Sequence, residues 1–330
     1  MLYQHKYHDN ELSKLNVLIT GGAGFIGSHI VEYLIKYGIG KVRVLDNIST
    51  GYRENIEPFL NCANFEFFEG DIRSIEDCIQ ACEGIDIICH QAALGSVPRS
   101  VKEPHLTTAH NILGFVNMVH AANIQGIKRF IYASSSSVFG DEPNLPKIES
   151  RIGKPLSPYA ISKYTNELFA GNFAALYGME FIGFRYFNVF GPRQSPEGAY
   201  AAVIPLFCNA CINNQDLFIN GDGEQTRDFT FVENVVQINI KAMFTSNQEA
   251  LNQVYNVGCG GRYSINALLE GVKKAAQKPD KKAIHRATRA GDIRDSQADI
   301  TKACQYLEYD PTFNFYEGLK LTVEYFIKMS

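Results

Sequence analysis

The 330-residue chain has no excess of positive charge. Its 31 Lys and Arg stand against 35 Asp and Glu, a formal net charge of -4, so no broad basic field exists to gather nucleic acid or acidic lipid. It also lacks any apolar run near the roughly 18 residues of a membrane span. Residues 1–16 lack the apolar centre of an export signal. The eight cysteines are scattered and do not frame a small domain, so free thiols in a reducing compartment are expected. Cys208 and Cys211 form a C-x-x-C, but no second pair accompanies it. The apolar run Val203-Ile204-Pro205-Leu206-Phe207 leads into it, which favours packing over metal or redox chemistry. Repeats and low-complexity tracts are missing too. With 45% hydrophobic and 20% charged residues, the expectation is a cytoplasmic globular protein acting on small molecules.

What is present is an alternation of short β-rich runs with longer amphipathic stretches. Strands are expected at 17–19, 42–45, 65–68, 85–88, 129–132 and 181–185, and helices at 30–37, 75–81, 107–123 and 159–177. Such alternation implies a parallel sheet covered on both faces, an α/β doubly wound fold. After Asn188 the texture changes to loops, glycines and aromatics. We therefore expect a dinucleotide-binding domain at 1–188 and a smaller lobe at 189–330, some of whose segments return to the first domain.

The first strand runs into Thr20-Gly21-Gly22-Ala23-Gly24-Phe25-Ile26-Gly27, a G-x-x-G-x-x-G turn that opens a helix. Glycines there permit a tight turn and close approach of a pyrophosphate to amides at the helix N-terminus. Asp46 ends the second strand about 20 residues later, placed to accept hydrogen bonds from an adenosine ribose, with Asn47 beside it. Its charge would repel a 2′-phosphate, so NAD is favoured over NADP. Asp71 and Ile72 end the third strand near the adenine, although Asp71 equally suits the N-cap of the next helix. Gln91, Ala92 and Ala93 follow the fourth strand, where small residues let the backbone approach a cofactor.

Tyr159 and Lys163 stand one turn apart at the start of a helix, on one face. A nearby ammonium stabilises a phenolate and lowers its pKa, which suits Tyr159 to act as a base. The fifth strand ends in Ser134-Ser135-Ser136-Ser137-Val138-Phe139-Gly140, which brings a hydroxyl to the crevice where doubly wound sheets bind ligands.

These residues, with QAALGSVPRS from Gln91, RYFNVFG from Arg185, GAYAAVIP from Gly198 and NGDGEQTRDF from Asn220, make a resemblance that covers almost the whole chain. The sequence resembles an extended short-chain dehydrogenase/reductase of the nucleotide-sugar 4-epimerase family, closest to the UDP-N-acetylglucosamine 4-epimerases. Phe139 departs from the family's usual Tyr. Counting back from Val138, the pattern points to Ser135 as the catalytic hydroxyl, with Ser136 next. The resemblance implies that Tyr159 takes the sugar 4-hydroxyl proton, Ser135 binds the 4-oxygen, and Lys163 holds the ribose and tunes Tyr159. NAD, regenerated each cycle, is expected to stay bound. By the same resemblance, Asn188, Arg227 and Arg289 bind the diphosphate and Asp292 the uridine ribose. Phe218 and Val203 line the uracil pocket, and Ser96 contacts the sugar. Ser296 stands at the family's size gate, where a small residue leaves room for a 2-acetamido group. UDP-GlcNAc and UDP-GalNAc are thus the expected substrates, with a hexosaminuronate or a plain hexose as alternatives. Relatives pair helices such as 107–123 and 159–177 into an intersubunit four-helix bundle, so a homodimer is expected.

Two rival functions differ in specific residues. Nucleotide-sugar dehydratases and decarboxylases of this type carry carboxylates after the catalytic hydroxyl, where this chain has Ser136 and Ser137. A non-catalytic NAD-binding sensor typically lacks the Tyr and Lys pair, which is present here.

Overall fold

The computed structural model describes residues 2–197, 201–288 and 294–330. Strands β1 (Asn16–Thr20), β2 (Lys41–Asp46), β3 (Phe65–Glu69), β4 (Ile87–His90), β5 (Arg129–Ala133) and β6 (Glu180–Tyr186) form most of one sheet. Between them run α1 (Phe25–Lys36), α2 (Ile75–Ala81), α3 (Val97–Lys102), α4 (Pro104–Thr108), α5 (Gly114–Ile124) and α6 (Pro158–Tyr177). Beyond them come β7 (Val189–Phe190), α7 (Val203–Ile212), β8 (Leu217–Asn220), β9 (Thr226–Arg227), β10 (Thr230–Phe231), α8 (Val232–Phe244) and β11 (Gln253–Val257). The chain closes with β12 (Tyr263–Ser264), α9 (Ile265–Ala275), β13 (Ala283–Arg286), α10 (Thr301–Leu307) and α11 (Phe315–Met329).

The main sheet has seven strands in the order β11-β6-β5-β4-β1-β2-β3, all parallel. This is the doubly wound α/β arrangement, and the strand order reverses between β1 and β4. One face is buried under α1 and α8, with Ile30, Leu34, Val235 and Ile238 fully enclosed. The other is buried under α2, α5 and α6 through Cys78, Phe115, Met118 and Ala170. A separate core gathers α7, α9 and α11 through Phe207, Leu268 and Leu319. Two stretches from the second half return to the first core: α8 covers the sheet, and β11 extends its edge beside β6.

Three local expectations are corrected. The helix expected to begin at Ile30 begins at Phe25, because the last glycine-turn residues already form its first turn. The strand expected at 85–88 lies at Ile87–His90, since His90 is buried and bonded to the Thr20 hydroxyl at 2.9 Å. The helix expected over 107–123 is interrupted by a π turn at Ala109–Leu113. There Asn111 leaves the helical pattern to accept from Leu94 N at 2.8 Å and donate to Ser162 Oγ at 3.0 Å, a side-chain demand of the kind that inserts such turns. Cys208 and Cys211 face the smaller core as packing residues, and burial pushes the Cys208 thiol up to about 12.

Candidate active site

A cleft of about 540 Å³ opens at the carboxyl ends of the strands, over the β1–β4 switch point, where open α/β sheets bind ligands. Its floor is the glycine turn. Gly21 has φ +69, and a Cβ there would lie 2.7 Å from the Ala92 nitrogen. A Cβ at Gly27 would lie 2.2 Å from the Gly21 carbonyl oxygen. Only glycine permits this close passage of turn, helix and β4 loop, and the result is a concave backbone cradle at the N-terminus of α1. Gly24, Phe25 and Ile26 complete the floor. A pyrophosphate suits this cradle, so the residues present fit a dinucleotide.

Asp46 lies at the rim, with Oδ2 accepting from Ala23 N at 3.0 Å and Oδ1 from Ile48 N at 2.9 Å. It therefore braces the turn as well as facing the cleft. Burial raises its pKa, and the backbone hydrogen bonds oppose that rise. Asn47 and Ile72 also line the cleft, but Asp71 does not. Its carboxylate accepts from Arg73 at 2.6 Å and Asn47 at 2.9 Å, and the Arg73 bonds hold it well below the usual carboxylate range. Nor is Asp71 the helix cap: Ser74 caps α2, accepting from Asp77 N at 3.1 Å.

Gln91, Ala92 and Ala93 form the wall after β4. A buried ring of hydrogen bonds fixes Gln91: its amide donates to Asn239 Oδ1 at 3.2 Å. Asn239 Nδ2 donates to the Tyr186 hydroxyl at 2.8 Å, and Tyr186 donates to Gln91 Oε1 at 3.3 Å.

The strand β5 and the helix α6 bring the candidate catalytic residues together. Ser135, Ser136, Tyr159 and Lys163 all line the cleft. Ser157 caps α6 by accepting from Ala160 N at 3.1 Å, which starts the helix at the register that turns Tyr159 and Lys163 inward. Ser134 is committed elsewhere, donating to Glu167 Oε1 at 2.5 Å. Ser135 Oγ accepts from Ser137 N at 3.2 Å and keeps its own proton to donate. Tyr159 differs from the expectation of a depressed pKa. Burial raises it, against a Ser135 hydrogen bond that lowers it. Lys163 is 2% exposed, donates to the Ala133 carbonyl at 2.8 Å, and burial lowers it to about 8. Desolvation thus acts on both members of the pair, and each neutral form gains from it.

The expected nucleotide-sugar residues are less concentrated. Asn188 lines the cleft, with φ +32 and its amide donating to Asp228 O at 3.0 Å. Ser96 is the N-cap of α3, accepting from Arg99 N at 3.2 Å. Val203 packs against the smaller core. The Phe218 ring carries the Arg286 guanidinium 3.2 Å from its centroid. Arg227 donates to the carbonyls of Thr226 at 2.9 Å and Arg294 at 3.0 Å. Ser296 is half-buried and donates its N–H to Thr226 O at 3.1 Å. None of these five lines the cleft, and Arg289 and Asp292 lie outside the described residues. The cleft also has wall residues that sequence reading missed, among them Leu94, Gly95, His110, Tyr186 and Gln194. Leu94, Gly95 and Tyr186 fall within the quoted family stretches but were given no role there, and no motif marks His110 or Gln194.

The profile of the NAD dependent epimerase/dehydratase family matches residues 17–258. A Methanocaldococcus jannaschii protein described as a putative UDP-glucose 4-epimerase is 36% identical over 94% of this chain and 97% of its own. Among solved structures, the UDP-N-acetylglucosamine 4-epimerase from Methanobrevibacter ruminantium M1, in complex with UDP-N-acetylmuramic acid, superposes with a TM-score of 0.90. It is 39% identical and covers 96% of this chain and 99% of that one. The UDP-glucuronic acid 4-epimerase from Bacillus cereus, in complex with UDP-glucuronic acid and NAD, gives a TM-score of 0.88 at 28% identity, covering 96% and 100%. With a glycine cradle that fits a dinucleotide and a profile match across most of its length, this chain belongs to the NAD dependent epimerase/dehydratase family.

Proposed function

We propose that this NAD-dependent UDP-sugar 4-epimerase acts on UDP-N-acetylglucosamine and UDP-N-acetylgalactosamine, inverting the hexose at C4 through a transient 4-keto sugar. Bound NAD supplies the oxidant for C4 and then the reductant. The glycine turn and Asp46 hold it, with Gln91, Ala92 and Ala93 along one wall. Tyr159 acts as the base at the 4-hydroxyl and returns the proton afterwards, while Ser135 donates to the 4-oxygen. Lys163, mostly protonated at neutral pH with its pKa near 8, places positive charge one turn from Tyr159 and offsets part of the burial cost of a phenolate. Asn188 is assigned to the sugar-nucleotide side.

Epimerisation is favoured over dehydration by the carboxylate inventory. Among the described residues lining the cleft, Asp46 is the one carboxylate, and it lies on the dinucleotide rim. Glu167, the nearest acid behind the serine run, is locked to Arg185 at 2.7 Å and is almost wholly buried. Among the described residues lining the cleft, no second carboxylate stands by to eliminate water from the keto sugar.

The preference for a 2-acetamido sugar is carried by the resemblance alone, which puts the small side chain of Ser296 at the family's size gate, where a bulky ring would crowd C2. Ser296 itself lies off the cleft lining. Relatives are described as acting on glucose, glucuronate and N-acetylglucosamine, so the test must offer all three. The protein, with no NAD added, is incubated with each UDP-sugar and the products are identified by NMR. The N-acetylated pair should interconvert fastest. Ser296→Tyr should slow that pair at least about tenfold more than UDP-glucose. Faster turnover of UDP-glucose by the unaltered protein would defeat the assignment.

A homodimer is part of the same reading. On α6, Ile161, Leu168 and Leu176 are 51–65% exposed, and Leu113 and Ile124 are similarly open on the neighbouring π turn and α5. Apolar side chains in this number on two adjacent helices suit a second copy of the chain.

A further inference from the structure

The residues ahead of β1 do not trail from the fold. Tyr3 is fully buried, with φ +58, and its N–H donates to Glu233 Oε1 on α8 at 2.8 Å. Tyr7 donates to the same carboxylate at 3.0 Å. Its N–H donates to the Tyr33 hydroxyl on α1 at 2.7 Å, and Lys36 Nζ donates to the Tyr3 carbonyl at 2.7 Å. The segment is thus sewn to the two helices on the back of the sheet.

One thread continues from it to the cleft. The Tyr3 hydroxyl bonds His29 Nδ1, and His29 Nε2 lies 2.9 Å from the Pro192 carbonyl oxygen. A carbonyl oxygen only accepts, so Nε2 carries the proton. Burial pushes the His29 pKa down to about 3, so the ring is neutral and Nδ1 is a lone pair that the Tyr3 hydroxyl must supply with a proton. The relay therefore has one direction, from Tyr3 to His29 to Pro192. Pro192 begins the turn at 192–193. Arg193 adopts φ +65 there and is held by Glu32 and by Ser28 Oγ at 3.4 Å, both on α1. Gln194 follows on the cleft wall. Its amide nitrogen donates to the Val189 carbonyl at 3.0 Å, while its amide oxygen is buried with no protein partner.

We propose that the segment ahead of β1 is a positioning element for the active-site cleft: Tyr3 fixes the His29 ring, and His29 holds the Pro192 carbonyl and with it the turn that presents Gln194. Tyr3 and His29 touch neither cofactor nor substrate and act through that turn. The proposal uses the cleft as the site of the family's reaction but not the choice of sugar, so it is tested on whichever UDP-hexose the unaltered protein turns over fastest.

The experiment compares Tyr3→Phe, His29→Phe, the double variant and His29→Gln, all purified with their bound NAD. Tyr3→Phe keeps the ring packing and the backbone bond to Glu233, and His29→Gln keeps an N–H donor for Pro192. Tyr3→Phe and His29→Phe should each raise KM for the UDP-hexose about three- to tenfold, the size of one lost buried hydrogen bond. In both, kcat should stay within about twofold and the NAD content should not change. The double variant should be no worse than His29→Phe, because Tyr3 acts through His29. His29→Gln should restore KM most of the way. Unchanged KM in Tyr3→Phe and His29→Phe with a lowered melting temperature would overturn the proposal, as would additive effects in the double variant. If His29→Phe does not fold, Tyr3→Phe decides alone, and an unchanged KM there rejects the relay.

Discussion

Lys163 is a cation buried against a carbonyl, not a carboxylate, and that costs the fold stability. Its pKa in the folded protein, about 8, lies below its ordinary 10.5. Between those values the folded state holds fewer protons than the unfolded chain, so stability rises with pH through this window, and below pH 8 the full penalty applies. Lys163→Met should therefore melt higher than the parent at pH 7, by about 2 °C or more, and the margin should shrink by pH 10. The same variant should lose at least about 100-fold in kcat, because Tyr159, the proposed acid–base group, would lose the charge that stabilises its phenolate. Thermal melts at the two pH values, beside a turnover assay, check both halves. A variant less stable at pH 7 would mean that Lys163 contributes to the fold and is not held there against a cost. The pairing of Tyr159 with Lys163 was legible in the sequence because it depends on one helical turn. The sign of the Tyr159 shift was not, because it follows from burial in the folded protein, which the spacing cannot show.

At the scale of elements, α6 has two faces with different tasks. Tyr159, Lys163 and Glu167 recur every fourth residue toward the sheet, while Ile161 and Leu168, two turns apart, point outward on one stripe. Glutamate at Leu168 and Leu176 should leave the helix intact, since both sites are exposed and Glu is a good helix former. If α6 seats a second copy, this double change should convert a dimer to a monomer by light scattering, with the far-ultraviolet spectrum unchanged. A parent that is already monomeric would refute the interface. The strands of the first half were readable because each is a short β-rich run beside a turn. The misplacement of β4 shows the limit of that signal: His90 looks polar, and the Thr20 hydroxyl and the Phe115 and Phe130 rings, 5.7 and 5.8 Å away, make it a core residue. Helix α8 was missed for a related reason. Glu233, Asn234, Gln237 and Asn239 are all buried there, each matched to a separate partner such as Tyr3, Phe313, Asp310 or Tyr186. A hydrophobic stripe is therefore hard to see.

For the whole molecule, the two halves of the cleft are assembled differently. The dinucleotide half uses contiguous motifs at the ends of β1, β2 and β4, so Gly21, Asp46 and Gln91 were all found from local pattern and all reach the cleft wall. The residues proposed for the sugar nucleotide are spread from Ser96 to Ser296, and of those only a resemblance could propose, Asn188 is the described one on the wall. Because the dinucleotide half is built locally, the cofactor preference rests on a single rim carboxylate, Asp46. Asp46 faces the cleft as a carboxylate braced by Ala23 and Ile48, and it cannot swing away from an added 2′-phosphate without releasing the glycine turn. Protein stripped of nucleotide should gain about 5 °C in melting temperature with NAD at 100 times its Kd. NADP at the same concentration should give less than half that gain. Asp46→Asn removes the charge but keeps an acceptor oxygen for the turn, so it should narrow the difference mainly by improving NADP. Equal stabilisation by the two cofactors in the unaltered protein would show that the rim carboxylate does not select between them, and the ribose assignment of Asp46 would fall with it.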